Sequence, residues 1–311
     1  MTPSPDPSSS SSLADAVERV APAVLNVSTR RATGTGLAWR DGVVVTSARL
    51  LWRTREVSLL AADGEPLSAE MAGVDPSTDL AVLRVTGAAA LPAARVASDA
   101  PRPRVGDAVF AVARDPSGLL HASFGRLGAV GGAWRTWQGG AIDQLLRLDG
   151  GLYPGMEGAP VADAEGQVLG VGSSAFSRHH GVVVPASTVD RVVDELLAHG
   201  RVAQGYLGIA AQPAQARLGE ERVEGLLLTS VAEDGPAARA GLLVGDIVVR
   251  AGDEPATALD RLRARLQVGS NLVLTVVRGG QSLTLTLEVG ERPEPPERGE
   301  RHGWHGRGCR P

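Results

Sequence analysis

From Val24 to about Pro185 the chain never sustains a helical repeat. Short apolar or alternating runs are broken by Asp41-Gly42, Asp63-Gly64, Gly106-Asp107, Gly131-Gly132 and Glu165-Gly166, pairs of the kind that turn one strand back on the next. About twelve strands fit into that span. Such a density of strands without helices between them predicts antiparallel sheets closed into barrels or packed as a sandwich. The composition agrees, with Gly 39 and Pro 20 against 3% aromatics, as expected of many short elements joined by turns.

Helical spacing occurs only at the edges of this region. Leu13, Ala16, Val17 and Val20 form one stripe behind a possible cap at Ser12, and Pro22 ends it. Past Pro185, Val189, Val192, Val193, Leu196 and Leu197 draw a second stripe between a cap at Ser187 or Thr188 and a stop at Gly200. A second unit then runs from Gln204 to Gly290. It holds Tyr206-Leu207-Gly208-Ile209, a strand from Gly225 to Val231, a short helix opened by Pro236, a strand from Asp246 to Ala251 and a helix from Thr257 to Leu266. A hairpin follows, with arms Leu272 to Val277 and Ser282 to Val289 joined through Gly279-Gly280. The expected division is a disordered Ser-rich lead over 1–12, one domain over 13–200, a second over 201–290, and a charged, Pro/Gly-rich disordered tail over 291–311. At about 150 residues per domain, 311 residues suit roughly two.

Charge and cysteine usage narrow the function classes. The chain has no Lys, so the 31 basic residues are all Arg, against 35 acids for a net charge of −4. That balance argues against nucleic acid as a partner. Because the absence of Lys is chain-wide, individual arginines carry meaning only by position. One cysteine, Cys309, excludes an intramolecular disulfide and leaves the compartment open. No apolar run reaches the roughly 18 residues of a membrane span. Met1 to Ser12 lacks the basic start and apolar middle of a secretory signal, so the chain as written reads as cytoplasmic. No cofactor or metal is expected. His179-His180 would point to opposite faces of a strand, and His302, His305 and Cys309 fall short of a closed site. Gly34-Thr35-Gly36 opens a hairpin and not a helix, so it is no phosphate loop.

Several segments together resemble the HtrA/Deg family of serine proteases, from about Leu13 to Val289. They are Val20-Ala21-Pro22-Ala23-Val24, Gly34-Thr35-Gly36-Leu37 with Asp41-Gly42, Asp75-Pro76-Ser77-Thr78-Asp79-Leu80-Ala81, Pro154-Gly155-Met156-Glu157-Gly158-Ala159-Pro160 and Gly181-Val182-Val183-Val184-Pro185. In the second unit, Asp234 through Asp253, with Ala240-Gly241-Leu242 and Gly245-Asp246-Ile247, is similar to the family's PDZ core. The resemblance implies a mainly β chain: a chymotrypsin-like double six-stranded β-barrel followed by an α+β PDZ domain.

The same resemblance implies a degenerate catalytic triad at Arg49, Asp79 and Glu157. Asp79 falls on the catalytic aspartate. The general base position, within Thr46-Ser47-Ala48-Arg49-Leu50-Leu51, holds Arg49, and the nucleophile position holds Glu157. A guanidinium stays protonated at any working pH and cannot take a proton from a hydroxyl. No slip in register supplies a base, since the first histidine is His121, and Ser47 would need an imidazole that is absent. One arrangement would reconcile the replacements: Arg49 forked between Asp79 and Glu157 as a charge triad, the alternative being an Arg49 that faces solvent. Gly155 and Gly158 keep the turn on which the family builds its oxyanion hole, while Ala159 replaces a glycine.

For the second unit the resemblance implies capture of an extended C-terminal peptide, with Tyr206, Leu207, Gly208 and Ile209 as the carboxylate loop. Leu207 and Ile209 would offer an apolar pocket and Leu262 and Leu266 the opposite wall, although a helix stripe at that spacing is as readily core. The expected function is a pseudoprotease that binds C-terminal or unfolded peptides as a scaffold, chaperone-like binder or regulator. The rivals are an active HtrA/Deg endopeptidase in protein quality control and a regulatory subunit of a protease paralogue. The family's trimers use N-terminal aromatic contacts, and no aromatic precedes Trp39, which argues against a homotrimer and leaves other oligomers open. Family resemblance places the chain outside the cytoplasm if a signal or anchor is missing.

Overall fold

A computed structural model describes residues 8–51, 54, 56–87, 91–96, 102–218, 221–263 and 266–293. Two compact units divide the chain. The first takes the described residues of Met1–Val202 and Asp260–Arg265, the second those of Ala203–Leu259 and Leu266–Pro311.

Twelve strands of the first unit close two six-stranded antiparallel barrels. One comprises Val24–Ser28, Thr33–Arg40, Val43–Ser47, Ser58–Leu60, Pro66–Asp75 and Leu80–Thr86. The other comprises Ala108–Arg114, Leu120–Gly131, Leu145–Leu148, Pro160–Asp163, Val168–Ser173 and Val182–Pro185. Closure leaves no long free edge, the difficulty an all-β chain of this length must solve. A core of Leu25, Leu37, Val45, Leu80, Leu83, Phe110, Val171 and Val184 is buried among these strands. Gly131-Gly132 is no hairpin turn. Leu145 donates its N–H to Gly132 O, and the intervening residues form a separate two-stranded pair, Trp134–Arg135 with Ala141–Ile142.

Both helices of this unit differ from expectation at their starts. The first spans Ser8–Val20 and not a stretch capped at Ser12, so Ser8 to Ser12 are helix and not disordered lead. Serine is a middling helix former, and a helix already anchored by buried Ala16 and Val20 extends through it at little cost. The second covers Ala186–His199, with Pro185 at its N-cap and neither Ser187 nor Thr188 capping it. Thr188 is fully buried, and its Oγ1 accepts the Asp143 N–H at 2.9 Å. Gly200 ends the helix with its N–H on Leu196 O. Trp39 Nε1 and the Arg40 guanidinium both donate to Asp190 Oδ1 on this helix and tie it to the first barrel.

In the second unit the sheet runs in the order Ile209–Leu218, Glu221–Val231, Ile247–Ala251, Asn271–Arg278, Gln281–Glu288, with Glu254–Pro255 added on Ile247–Ala251. All these pairings are antiparallel. Gly279 and Gly280 have φ 57° and 82°, the pair of left-handed residues that a two-residue hairpin turn requires. Ile209–Leu218 is the edge strand, a position that tolerates Pro213 and its missing N–H. A short helix covers Pro236–Arg239; the helix Leu259–Arg263, which falls with the first unit from Asp260 on, is shorter than the Thr257 to Leu266 expected.

The ordered fold continues past Gly290, where the tail was expected to begin. Gly205–Tyr206 pairs with Gly290–Glu291, and the Arg292 N–H reaches Gln204 O. His302, His305 and Cys309 lie outside the described residues, as do residues 1–7 of the lead.

Candidate functional site

Asp79 sits at the turn between the Pro66–Asp75 and Leu80–Thr86 strands. The residues before it explain the shape of that turn. Asp75 Oδ1 accepts the Ser77 N–H at 3.0 Å and the Ser77 hydroxyl at 2.6 Å, and Oδ2 accepts the Thr78 hydroxyl at 2.6 Å. With all three residues buried, this short Asx-type knot sets the backbone direction of the next residue. Asp79 has φ 56°, the only positive φ on a non-glycine among the described residues. That conformation is tolerated best by Asp and Asn.

The Asp79 carboxylate is 2% exposed. Ser47 Oγ donates to it at 2.9 Å, Ser173 Oγ at 2.6 Å and the Arg49 backbone N–H at 3.2 Å. Burial pushes its pKa up to about 6, against the downward pull of the serine hydroxyls and the Arg49 amide, and the charge of Glu157 adds to the rise.

The charge triad does not form. Among the described residues, Arg49 makes no ion pair with Asp79 or with Glu157. Its exposed side chain donates through Nη1 to Ser174 Oγ at 3.2 Å. Glu157 turns to the same serine: the Ser174 hydroxyl donates to Oε1 and the Ser174 N–H to Oε2 at 3.3 Å. The reason lies in competition for Asp79. Two hydroxyls and an amide already occupy its oxygens, and a guanidinium drawn into that buried site would lose hydration it keeps at the surface. Ser173 and Ser174 are the residues sequence reasoning missed. Their only signal is two adjacent serines at the end of a short buried strand.

The loop bearing Glu157 is tightly held. Thr35 donates its N–H to Glu157 O at 2.9 Å and its hydroxyl to Gly155 O at 2.8 Å, while the Gly158 N–H reaches Gly172 O at 3.0 Å. Gly158 has φ 80°, and a Cβ there would stand 2.4 Å from Thr35 O, so only glycine fits. Ala159 is fully buried. Among the described residues, the amides of Gly155 and Glu157 donate to no acceptor, which leaves two neighbouring N–H groups at the turn where the resemblance places an oxyanion hole.

Among the described residues no cluster of three or more His, Cys, Asp or Glu is placed to hold a metal, and no helix is long and apolar enough to cross a membrane. The backbone N–H groups of His179 and His180 both point at Ser177 Oγ.

In the second unit, Leu207 and Gly208 are buried, and Tyr206 and Ile209 are half-buried. The Ala232 N–H bonds Gly208 O at 2.7 Å and the Ala237 N–H bonds Leu207 O at 2.9 Å, so this loop is braced from behind. It leads directly into the edge strand. Leu262 and Leu266 are 3% and 6% exposed. Leu266 stands directly against Gly205, where a Cβ would come within 2.4 Å of its own Cβ.

Comparison with known proteins accounts for both units. A trypsin-like peptidase domain family matches residues 34–171, and a PDZ domain family matches residues 205–289. A probable periplasmic serine endoprotease, DegP-like, from Halomonas elongata is 32% identical over 279 residues, covering 85% of this chain and 58% of that protein. The similarly described protein of Brucella suis is 31% identical over 265 residues, 81% of this chain and 51% of its own. The chain thus spans a little over half the length of these curated relatives. Among solved structures, a serine endoprotease from Yersinia pestis superposes with TM-score 0.68 at 26% identity, covering 90% of this chain and 98% of that one. A variant of the HtrA-type protease AlgW with a tripeptide gives TM-score 0.66 at 30% identity, covering 91% and 98%.

Proposed function

This chain belongs to the HtrA/DegP-like family of trypsin-like serine endoproteases, and we propose that within it the chain is a pseudoprotease, which captures peptides through its PDZ domain and does not cleave them by the family's serine–histidine route. The observation that carries this reading is the surroundings of Asp79. The carboxylate that should orient an imidazole is bound by Ser47, Ser173 and the amide of Arg49 itself. Acyl transfer by the family's route needs a hydroxyl, a base and an orienting carboxylate in sequence. Here the base position carries a permanent cation and the nucleophile position a carboxylate.

Peptide capture rests on the edge strand Ile209–Leu218 and the braced loop Tyr206 to Ile209. An extended peptide adds to such an edge through main-chain hydrogen bonds, and the loop amides receive its terminal carboxylate. Half-buried Ile209 then offers apolar contact to the last side chain, while Leu207, 3% exposed, is as buried as Leu262. The opposite wall assigned to Leu262 and Leu266 is less favoured, because both are buried as core residues are. The partners of this reading are C-terminal or unfolded peptides and, as a regulatory subunit, a protease paralogue. Relatives described as periplasmic support a place outside the cytoplasm.

That those relatives are described as serine endoproteases favours a second reading, an active endopeptidase of protein quality control. Full-length protein incubated with fluorescent casein and with an array of C-terminal peptides separates the two. The first reading expects intact casein and peptide binding that is lost when the C-terminus is amidated. Casein cleavage that disappears in Asp79→Ala would establish the second.

A further inference from the structure

Three serines surround the two carboxylates of the first unit, and they are not alike. Ser47 and Ser173 are 0% and 1% exposed and direct their hydroxyls at Asp79. Ser174 is half-buried, and its contact with Arg49 lies at the surface. Its Oγ donates to Glu157 Oε1 and accepts from Arg49 Nη1 at 3.2 Å. The Ser174 N–H holds Glu157 Oε2 at 3.3 Å, which aims the other oxygen at the hydroxyl. Among the described residues no guanidinium forms an ion pair with that carboxylate, which leaves Oε1 to the Ser174 hydroxyl.

A hydroxyl bonded to a free carboxylate on one side and beside a cation on the other has the parts of a nucleophile, its base and an oxyanion donor. We propose that Ser174, Glu157 and Arg49 form a relocated acyl-transfer site for small activated carboxylic esters, with Ser174 as nucleophile, Glu157 as general base and Arg49 as oxyanion donor. Ser174 Oγ bonds to the ester carbon while its proton passes to Glu157 Oε1. The carbonyl electron pair moves onto oxygen, where the Arg49 guanidinium receives it in place of its bond to Oγ. Collapse of this adduct restores the carbonyl and expels an aryloxide, leaving an acyl group on Ser174. The aryloxide takes the Glu157 proton, or departs without it and the proton is lost to solvent. Water then attacks the acyl carbon with Glu157 again taking the proton, which returns to Ser174 Oγ as the acid leaves.

Substrate class follows from the leaving group. An aryloxide departs without a prior proton, whereas a peptide nitrogen must be protonated as its bond breaks, and no imidazolium stands here to do that. The site therefore goes beyond peptide capture without reinstating the family's proteolysis.

The test is a fluorophosphonate probe on the full chain with mass mapping of the modified peptide, alongside turnover of p-nitrophenyl acetate. The expected result is an adduct on Ser174, with ester turnover falling about 100-fold or more in Ser174→Ala and in Glu157→Gln while thermal unfolding matches the parent. Where Ser174→Ala does not fold, Ser174→Cys retains the shape, and its sulfur is acylated by the same ester. No adduct, an adduct on another serine, turnover within about 3-fold of the parent in a folded Ser174→Ala, or a Ser174→Cys variant whose new thiol stays unacylated would each overturn the proposal.

Discussion

Two buried aspartates, one in each unit, meet opposite fates. Asp246 is 1% exposed and Asp79 is 2% exposed. Arg278 grips Asp246 with two parallel bonds, Nε to Oδ1 at 2.7 Å and Nη2 to Oδ2 at 2.8 Å, and the Leu243 N–H adds a third at 2.9 Å. Burial acts to raise the pKa of Asp246, but the Arg278 bonds and the Leu243 amide more than offset it and hold the carboxyl below its usual range. Asp79 also has an arginine beside it, yet takes only the backbone amide of Arg49 and makes no use of its side chain. Hydroxyls and an amide satisfy its oxygens without cancelling its charge. The lesson is that hydrogen bonding and neutralisation are separate services to a buried carboxylate. The PDZ unit keeps a structural ion pair, while the barrel unit keeps a carboxylate poised to gain a proton.

That comparison can be broken most sharply from the PDZ side. Removing the guanidinium in Arg278→Ala leaves the buried Asp246 carboxylate without its ion-pair partner and destabilises the PDZ unit. Urea unfolding of the full chain at pH 7.5 should show the PDZ transition at a lower midpoint, with the barrel transition unmoved. A smaller effect of opposite sign is expected at Asp79. Its folded pKa, about 6, lies above the ordinary carboxylate value of 3.8, so the fold prefers the protonated form. The stability this group contributes is complete below pH 3.8 and is lost as pH rises through 6. Asp79→Asn, which carries no charge and still accepts a hydrogen bond, should therefore stabilise the barrel unit by up to about 3 kcal/mol at pH 7.5 and by almost nothing at pH 3.5. Thermal or urea unfolding at the two pH values checks it, and an equal effect at both would refute the account of Asp79.

How far the molecule was legible before folding depended on the distance over which each feature is specified. The barrels were readable because Asp41-Gly42 and Glu165-Gly166 impose turns locally and the strands between them need only burial. The hairpin around Gly279-Gly280 was readable for the same reason. The edge strand Ile209–Leu218 was not, because Ala210, Ala211 and Ala214 give weak alternation and Pro213 argues against a strand anywhere but an edge. Thr188 looked like a cap, and a long-range bond to Asp143 took its hydroxyl instead. At the site, the proposed replacement of the base by Arg49 and of the nucleophile by Glu157 rests on residue identity and the family resemblance alone. The failure of Arg49 to pair with Asp79 and Glu157 was not legible, since it depends on the hydroxyls that occupy Asp79, and Ser47 and Ser173 come from strands of different barrels.

The central proposal is that the barrels, the Asp79 turn and the Glu157 loop persist while the side chains of Arg49 and Glu157 take the family's chemistry away. Hydrolysis of fluorescent casein by full-length Arg49→His/Glu157→Ser, beside the parent and both single variants, tests it directly. The account predicts cleavage in the double variant alone, abolished by a further Asp79→Ala. Cleavage by the parent at a rate matching the double variant, or a folded double variant that stays inert, would contradict it.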